Sequence, residues 1–475
     1  MTASQCAASF DSDRSDSLRG ESCDTGYLKI PSLGLDGFTN TDTSVQNLVG
    51  GKSTFVINGH IDRLEPSRIC PDCGHIMHIH GSYPVNLLHL PFGSTTSSLH
   101  FPSSRLICPH CRHTEMQSIP FKSNEHRITR PLQNYIESLL ASNRYTLKDI
   151  SVMTGVNRAI IKDIDKKRLL NLYTVEENGV LVLKRVEGPI PFLGIDEFLL
   201  HRGNKYATHI IDQQTGAVLW IAEGKKKQVV FDFIDHYGLE WMEGVQAVAC
   251  DMNSDFEQAF RQKCPHIAIV YDHFHIVKNF NDKVISEVRK EEQKRLEEEG
   301  DIEGAKSLKK SRFILTSNRA TLQRRDQEAE EGREIRRESE LFNTPAVRRR
   351  GGQEERYDNI IATNRLLFAA AFIKEKLSYA YTLTDKEEML TIMNEIISLC
   401  EETENRHFLW FARLLRNHLD GIVSHAVYRI SAGKIEGVNN RIKTIRRQAY
   451  GLPDDEYFFL KIIDMSRNSA NEKSN

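Results

Sequence analysis

The order of apolar and polar positions changes several times along the chain, and each change predicts a different kind of structure. Residues 1–60 hold few apolar clusters and predict a mostly irregular segment, whereas residues 131–170 carry apolar residues at helical spacing. Residues 190–275 alternate strand-like runs with amphipathic ones. Residues 284–356 are dominated by Lys, Arg and Glu, as in solvated helix faces or mobile segments, and helical periodicity returns over 357–428. With 475 residues, the chain is too long for one core and predicts about three domains.

The stretch 190–275 gives the most detailed fold prediction. The run PFLGIDEFLLH predicts a strand with Asp196 in its middle, and KYATHIIDQQTGAVLWIAEG predicts two more antiparallel strands. An amphipathic helix, a buried strand ending at Asp251, another helix and the strand IAIVYD follow. Three strands, helix, strand, helix, strand is the ribonuclease-H-like order, a mixed sheet with helices. In that fold, Asp196 and Asp251 lie side by side.

Paired carboxylates on adjacent strands repel each other unless a cation lies between them, so the pair suits Mg²⁺ (or Mn²⁺). A two-metal site needs a third acid, and the helical run GKIEGVNNRIKTIRRQAYG offers Glu436. The apolar residues of this run share one helix face, and Glu436 lies on another with residues that can reach phosphates. Candidate DNA-binding residues on this helix are Asn440, Lys443, Arg446 and Arg447. A solvated helix face is the alternative interpretation.

Two CxxC pairs predict a structural zinc site. Cys70 and Cys73 lie in CPDCG, and Cys108 and Cys111 follow in CPHC, thirty-five residues after Cys73. Four thiolates on two knuckles form a closed tetrahedral Zn²⁺ site, and the intervening LLHLPFG predicts a small hairpin. Two unrelated reduced cysteine pairs are the alternative. Several nearby histidines are possible substitute ligands, namely His75, His78, His80, His110 and His113.

Residues 146–164, TLKDISVMTGVNRAIIKDI, predict a helix-turn-helix. Ile150 and Val152–Met153 give the first helix an apolar face, and Gly155 supplies the turn. In such a motif the start of the second helix meets base edges. The candidate DNA-binding residues here are Asn157, Arg158 and Lys162. A helical hairpin used only for packing is the alternative.

The amino-acid composition is compatible with these interpretations. The chain has 63 Lys and Arg against 65 Asp and Glu, so its net charge is close to neutral, but the basic residues concentrate locally over 144–168 and 434–447. An odd number of cysteines, nine, argues against a disulfide framework. No run of eighteen apolar residues and no signal peptide is evident, so we expect no membrane association and a cytoplasmic location.

These motifs together resemble the ISL3 family of insertion-sequence transposases, which are DDE enzymes with a ribonuclease-H-like core. The matching stretches cover residues 65–467 and include CPDCG with CPHC, FLGIDEF, VQAVACDMNSDF, IVYDHFHIVKNF, LKKSRFILTSN and GKIEGVNNRIKTIRRQAYG. The resemblance implies that Asp196, Asp251 and Glu436 are the DDE triad. It also draws attention to Asp272 and His275, where the family's usual DRFH reads DHFH. For these two residues, a catalytic role and a helix cap with a packed histidine stay open.

The resemblance implies a transposase that cleaves DNA by metal-assisted hydrolysis and joins 3′-hydroxyl ends to target DNA. Its partners would be terminal inverted repeats, target DNA and at least one further copy of the chain, at the nucleoid of a prokaryote. One alternative is a catalytically silent DNA-binding protein derived from a transposase. Others are a nuclease that cuts without joining and a zinc-scaffolded interaction protein.

We therefore predict a multidomain α+β protein with an N-terminal zinc module, a helix-turn-helix and a catalytic core interrupted by a helical insertion. The predicted boundaries are 1–64 for an irregular segment, 65–118 for the four-cysteine zinc module, 119–185 for the helix-turn-helix region, 190–275 and 429–468 for the core, 276–428 for the insertion, and 469–475 for a tail.

Overall fold

The computed structural model describes residues 35–47, 53–62, 68–252, 254–331, 351–431, 433–448 and 454–474. The chain divides into two compact units, Met1–Asp165 and Lys166–Asn475. Much of the predicted irregular segment 1–64 and much of the charged stretch 318–356 lie outside the described residues. Below, strands and α-helices are numbered in chain order.

A five-stranded sheet forms the first half of the N-terminal unit. Its strands are β1 (Phe38–Asn47), β2 (Ser53–Ile61), β3 (His78–Phe92), β4 (Thr95–Ile107) and β5 (Thr114–Met116). β3 and β4 form a long antiparallel hairpin at the place where the sequence predicts a small one, and β2 runs parallel to β4. Ile57, Leu87 and Leu99 are fully buried in the core of this sheet.

The strands β1 and β2 correct the prediction that residues 1–64 are irregular. β2 contributes the buried Val56 and Ile57 to the core. β1 reads FTNTDTSVQN and pairs with β2 along its whole length, from Phe38–Ile61 to Asn47–Ser53. This mostly polar strand is held by backbone hydrogen bonds to β2. Its sequence therefore lacks the alternation of apolar and polar residues by which a strand is predicted.

Three helices complete the N-terminal unit: α1 (Arg130–Ala141), α2 (Leu147–Thr154) and α3 (Arg158–Tyr173), the last of which continues beyond the unit boundary. Thr146 and Asp149 form a capping box at the start of α2, and Gly155 ends it with φ 74°, a left-handed conformation that glycine adopts at little cost. Ile150 is buried as predicted, and so is Ile161 of α3, but Val152 is 70% exposed and does not belong to the apolar face of α2.

A mixed sheet forms the centre of the second unit. After the hairpin of β6 (Thr174–Glu177) and β7 (Val180–Leu183), its strands are β8 (Phe192–His201), β9 (Lys205–Asp212), β10 (Val218–Glu223), β11 (Ala247–Cys250) and β12 (Ala268–Tyr271). The strand order is β10-β9-β8-β11-β12; β9 is antiparallel to both its neighbours, whereas β11 is parallel to β8 and to β12. These are the strands that the sequence predicts between 190 and 275.

Helices cover both faces of this sheet. Between the strands lie α4 (Lys227–Tyr237), α5 (Leu239–Met242) and α6 (Ser254–Lys263). After β12, the described residues up to Tyr428 are mainly helical: α7 (His273–Asn279), a π-helical segment (Phe280–Ile285), α8 (Ser286–Glu298), α9 (Ile302–Leu308), α10 (Arg312–Thr316), α11 (Arg319–Glu330), α12 (Gln353–Thr363), α13 (Arg365–Ala380), α14 (Lys386–Glu402), α15 (Arg406–Asn417) and α16 (Leu419–Tyr428). The last two helices are α17 (Gly433–Gln448) and α18 (Asp455–Ser474).

The two faces of the sheet bury different helices. On one face, Leu193, Ile195 and Val248 pack with residues of α4, α6 and the helices after β12. On the other face, Ile211 and Ala249 pack with apolar residues of α17 and α18. The predicted tail 469–475 is instead the end of α18 as far as Ser474. Among the described residues, no helix is long and apolar enough to cross a membrane.

Two helical glycines provide a matched test of this packing. A β-carbon on Gly421 of α16 would collide with the ring of Tyr271, which is fully buried and whose hydroxyl donates to Glu257 at 2.5 Å. A β-carbon on Gly437 of α17 would meet nothing. We therefore expect Gly421→Ala to lower the free energy of unfolding by about 1–3 kcal/mol. Gly437→Ala should raise it by about 0.5–1 kcal/mol.

The measurement is urea denaturation followed by tryptophan fluorescence, because all three tryptophans, Trp220, Trp241 and Trp410, lie in the second unit. Equal midpoints for the two variants would contradict the close contact between α16 and β12.

Candidate catalytic cleft and zinc site

The four cysteines of the N-terminal unit converge on one point. The backbone N–H of Gly74 donates to the carbonyl of Cys70 at 2.9 Å, and that of Arg112 donates to the carbonyl of Cys108 at 3.1 Å, so each pair sits in a tight turn. The Sγ atoms of Cys70 and Cys111 are 3.4 Å apart, and those of Cys73 and Cys108 are 3.5 Å apart. All four sulfurs lie within 4.8 Å of one another.

This cluster fits Zn²⁺. Zn–S bonds of about 2.3 Å in a tetrahedron separate the sulfurs by roughly 3.8 Å, close to the distances observed. The cysteines form no disulfides. The backbone N–H of Cys111 lowers the pKa of the Cys108 thiol to about 6, whereas burial and the neighbouring thiols raise the pKa values of Cys73 and Cys111, so Cys108 is the thiol most readily ionised before a metal binds. Since four cysteines complete the set, no nearby histidine is needed as a ligand, and the rings of His75 and His110 instead stack at 4.3 Å.

The residues predicted to bind DNA at the start of α3 differ in their hydrogen bonding and exposure. Asn157 caps the helix, since its Oδ1 accepts a hydrogen bond from the backbone N–H of Ala159 at 2.8 Å. Arg158 is exposed and Lys162 is partly buried. Lys166, further along the helix, forms ion pairs with Glu456 at 2.6 Å and Asp454 at 3.2 Å. Lys167, next to it, is exposed.

Strand register brings Asp196 and Asp251 together in the second unit. The parallel strands β8 and β11 pair Gly194 with Ala249, and each aspartate lies two residues beyond that pair on its own chain segment. Neighbouring strands are about 4.8 Å apart, so the two carboxylates meet at the same edge of the sheet. Asp272 follows the end of β12, one position beyond the pair Cys250–Tyr271, and is 6% exposed.

Specific hydrogen bonds hold both carboxylates. Asp196 Oδ1 accepts from the backbone N–H of Glu197 at 2.8 Å, and its Oδ2 accepts from Nδ2 of Asn439 at 2.7 Å. Asp251 Oδ1 accepts from the backbone N–H of Met252 at 2.6 Å and lies 2.9 Å from Nδ1 of His275. Each side chain therefore has a fixed orientation before any ligand binds.

The two carboxylates titrate in opposite directions. Burial raises the pKa of Asp196, and the negative charge of Asp251 adds to that effect. Burial also acts to raise the pKa of Asp251, but the hydrogen bond and positive charge of His275 outweigh it, so the net shift is downward. The same hydrogen bond raises the pKa of His275. The contact therefore favours an ionised Asp251 beside a protonated His275.

A fully buried histidine lies next to Asp196 on the neighbouring strand. His209 of β9 pairs with Asp196 in the antiparallel register, and neither of its ring nitrogens has a hydrogen-bond partner among the described residues. Burial lowers the pKa of His209 to about 4, so the ring is neutral at pH 7. It therefore adds no positive charge that would offset the repulsion between Asp196 and Asp251. The sequence analysis did not single out His209.

Helix α17 packs on the face of the sheet that carries Asp196. Its apolar residues Ile435, Val438 and Ile442 are buried, as the sequence predicts, and Glu436 is exposed. Asn440, Lys443 and Arg447 lie on the outer side of the helix, where Lys443 and Arg447 are partly or fully exposed. Arg446 differs: it donates to the backbone carbonyl of Leu199 at 2.5 Å, and its guanidinium lies 5.1 Å from the ring centre of Phe458.

A cleft of about 690 Å³ connects these residues. Its lining residues come from β8, α7, α16, α17 and the end of α13, and include Asp196, Asp272, His275, Glu436 and Asn439. The three acids Asp196, Asp251 and Glu436 do not form a cluster as tight as that of the cysteines, since their oxygens are not all within 4.8 Å of one another.

Asn439 is the residue of this site that the sequence analysis missed. The predicted stripe on α17 includes Asn440, but Asn439, three residues after Glu436, is the asparagine that contacts Asp196. Residues three apart on a helix are neighbours, just as residues four apart are, so the sequence alone left both asparagines as candidates.

Comparison with known proteins places the chain among transposases. Residues 193–462 match the family model for ISL3-type transposases, and residues 66–111 match the zinc-finger of the transposases IS204, IS1001, IS1096 and IS1165. The first match spans more than half of the chain, so the chain belongs to the ISL3 family of transposases. The resemblance stated from the motifs is thereby confirmed, as is the zinc ribbon.

Two relatives illustrate the family. The transposase for insertion sequence element IS1001 of Bordetella parapertussis is 26% identical over 395 residues, which cover 83% of this chain and 87% of that protein. The transposase for insertion sequence element IS1557 of Mycobacterium tuberculosis (strain ATCC 25618 / H37Rv) is 23% identical over 277 residues, which cover 54% of this chain and 56% of that protein.

The zinc site makes a direct prediction about metal content. The purified chain should contain one Zn²⁺, measured by inductively coupled plasma mass spectrometry, and Cys108→Ser should reduce that content to near zero because a serine hydroxyl is a poor zinc ligand. Cys264→Ala, which changes a buried cysteine of the second unit, is the matched control and should retain the metal. Full zinc content in Cys108→Ser would rule out the four-cysteine site.

Proposed function

We propose that this chain cuts DNA at the ends of an insertion sequence and joins the resulting 3′-hydroxyl ends to target DNA. The observation that carries the proposal is the meeting of Asp196 and Asp251 on adjacent parallel strands, beside a cleft that Glu436 also lines, in a member of a transposase family. The names of the relatives, transposases for insertion sequence elements, support DNA ends as the substrate.

In this proposal, residues 190–275 and 429–468 form a ribonuclease-H-like core and residues 276–428 are a helical insertion within it. The strand order β10-β9-β8-β11-β12, with β9 antiparallel to β8 and β11 parallel to it, supports that assignment. So does the return of the chain in α17, which packs on the sheet after the intervening helices.

Asp196, Asp251 and Glu436 are the proposed ligands of Mg²⁺ (or Mn²⁺). Carboxylate oxygens are the protein ligands that Mg²⁺ prefers, and it keeps open positions for water and phosphate. The chemistry of this site fits a cation, because burial and the charge of Asp251 both disfavour the ionised form of Asp196 and no neighbouring group neutralises it fully. When bound, the metal supplies the positive charge that activates the nucleophile and stabilises the leaving oxygen.

Neighbouring side chains of the protein hold the proposed metal ligands in place. Asn439 holds Asp196, which lines the cleft, and His275 holds Asp251 beside it, so both carboxylates keep a constant orientation. We assign His275 and Asn439 as positioning residues on this basis. Asp272 precedes α7 and also lines the cleft. Its side chain forms no cap hydrogen bond with that helix. A catalytic role for Asp272 therefore stays a prediction.

The two steps of the proposed reaction are both phosphoryl transfers. In cleavage, water attacks the phosphorus and the bond to the 3′ oxygen breaks, leaving a 3′-hydroxyl and a 5′-phosphate. In joining, that 3′-hydroxyl attacks a phosphorus of the target and displaces the target's own 3′ oxygen. One P–O bond forms and one breaks in each step, so alignment and charge neutralisation suffice, with no oxidant or external energy source.

DNA recognition is assigned to other surfaces. We propose that the zinc module and the helices α2 and α3 recognise terminal inverted repeats, with Arg158 and Lys162 near the start of α3. Asn440, Lys443 and Arg447 of α17 are proposed to hold the phosphates near the cleft. Two ends must be paired before joining, so the proposed active complex contains at least two copies of the chain.

The test is cleavage of a duplex that carries the inverted repeat flanking the gene, with and without Mg²⁺. Glu436→Gln keeps the size of the side chain but removes its charge, and we expect the cleavage rate to fall at least about 100-fold. Glu240→Gln, which alters an exposed glutamate on α5, is the matched control and should cleave at the wild-type rate.

Three outcomes separate the alternatives. Equal cleavage by wild type and Glu436→Gln would refute the assignment of Glu436. Binding of the repeat without cleavage by the wild type would favour a silent DNA-binding protein. Cleavage without any joined product from a precut 3′-hydroxyl end would favour a simple nuclease.

A further inference from the structure

The cleft contains an aromatic ring that the proposed chemistry does not use. Phe274 is the second residue of α7, between His273 and His275, and is 58% exposed. Other apolar residues that follow, Ile276 and Phe280, are fully buried in the core. A single exposed apolar side chain on a convex surface needs no explanation. Phe274, however, lines the concave cleft that also holds Asp196 and Glu436.

Three further rings form another part of the cleft wall. The ring of His273 lies 4.2 Å from that of Tyr381, which in turn lies 5.1 Å from that of His425. Three polar atoms of this cluster are buried and have no hydrogen-bond partner among the described residues, namely His273 Nε2, Tyr381 Oη and His425 Nδ1. Buried polar atoms without partners are costly, so this wall is incomplete as a purely structural element.

The rest of the lining suits a polar ligand with a phosphate. The hydroxyl residues Ser378, Thr382 and Ser431 contribute to it. Arg429 also lines it, and it is held at φ 50° with its guanidinium donating to the backbone carbonyl of Thr382 at 3.3 Å. The volume of about 690 Å³ exceeds what one phosphodiester group and its two metal ions fill.

We propose that this cleft holds one nucleotide of the DNA end with its base turned out of the duplex and stacked on Phe274. The inference rests on the proposed function, since it requires the scissile phosphate to lie at Asp196 and Asp251. A base has an apolar face that matches an exposed aromatic ring and a polar edge that matches the hydroxyl residues Ser378, Thr382 and Ser431 of the lining. The adjoining phosphate then reaches the carboxylates, and Arg429 offsets part of its charge.

The cost of unpairing favours positions at which the base pair opens readily. A base leaves the duplex most readily where pairing is already weak, so recognition by extrusion adds selectivity that does not depend on reading the base in a groove. Stacking on Phe274 compensates for the lost stacking in the DNA.

The experiment uses the full-length chain and duplexes that span the junction between the flanking DNA and the inverted repeat. Each duplex carries 2-aminopurine, whose fluorescence rises when it leaves the base stack, at one position near the junction. Ca²⁺ replaces Mg²⁺ so that binding is measured without cutting. We expect the fluorescence to rise at one position with the wild type and with Phe368→Ala. Phe368 of α13 is 56% exposed and does not line the cleft, which makes it the matched control.

Phe274→Ala should abolish the signal and weaken binding of the junction duplex by about 5- to 150-fold, the range for loss of one stacked base. Phe274→Tyr keeps an aromatic face and should restore both. A mismatch at the extruded position should strengthen binding by the wild type, because the cost of unpairing is then removed. Free deoxynucleoside monophosphate should not compete, since the site takes a nucleotide of DNA.

An unchanged 2-aminopurine signal at every position would overturn the inference, and so would wild-type behaviour of Phe274→Ala. If the same wild-type preparation still cleaves the duplex in Mg²⁺, only the extruded nucleotide is refuted and the proposed function stands. If the wild type neither binds nor cleaves the duplex, both fail. Competition by the free nucleotide would assign the cleft to a small-molecule ligand instead.

Discussion

Two like charges held side by side on adjacent parallel strands are the constraint on which the rest of the second unit depends. Strand register leaves Asp196 and Asp251 no freedom to move apart, because each is part of, or directly follows, a strand in the middle of the sheet. Burial adds to their repulsion and raises the pKa of Asp196. One histidine, His275, offsets part of this charge, and the buried His209 offsets none at neutral pH. A cation between the two carboxylates, as proposed above, would neutralise this charge.

The remaining elements of the second unit can be understood as support for this pair. Helix α17 buries its apolar face on the sheet, and in doing so it delivers Asn439 to Asp196 and Glu436 to the cleft. On the other side, the contact between Gly421 of α16 and Tyr271 allows a helix to approach β12 closely. Residues far apart in the chain therefore meet at one edge of the sheet. In the first unit, by contrast, the zinc cluster is local, since short turns and one hairpin bring its cysteines together.

Much of this architecture could be predicted from the sequence, because it follows local rules. The CxxC pairs predict the cysteine cluster, and the apolar periodicity predicts the strands from β8 to β12, together with α17. Where a local signal is weak, prediction failed: β1 is polar and is held by backbone pairing, and Val152 points to solvent although its neighbours are apolar. The choice between Asn439 and Asn440 depends on how α17 is rotated against the sheet, which only long-range packing decides. The contact between the rings of His273 and Tyr381 likewise depends on a segment that follows about one hundred residues later.

The central claim is that Asp196 and Asp251 bind a divalent cation together, and titration calorimetry tests it most directly. Mn²⁺ would be titrated into the full-length chain bound to a precut end duplex, with the zinc content measured in the same samples. The account predicts Mn²⁺ binding by the wild type that is lost in Asp196→Asn and in Asp251→Asn, while both variants retain their zinc. Undiminished Mn²⁺ binding by the two variants would contradict it.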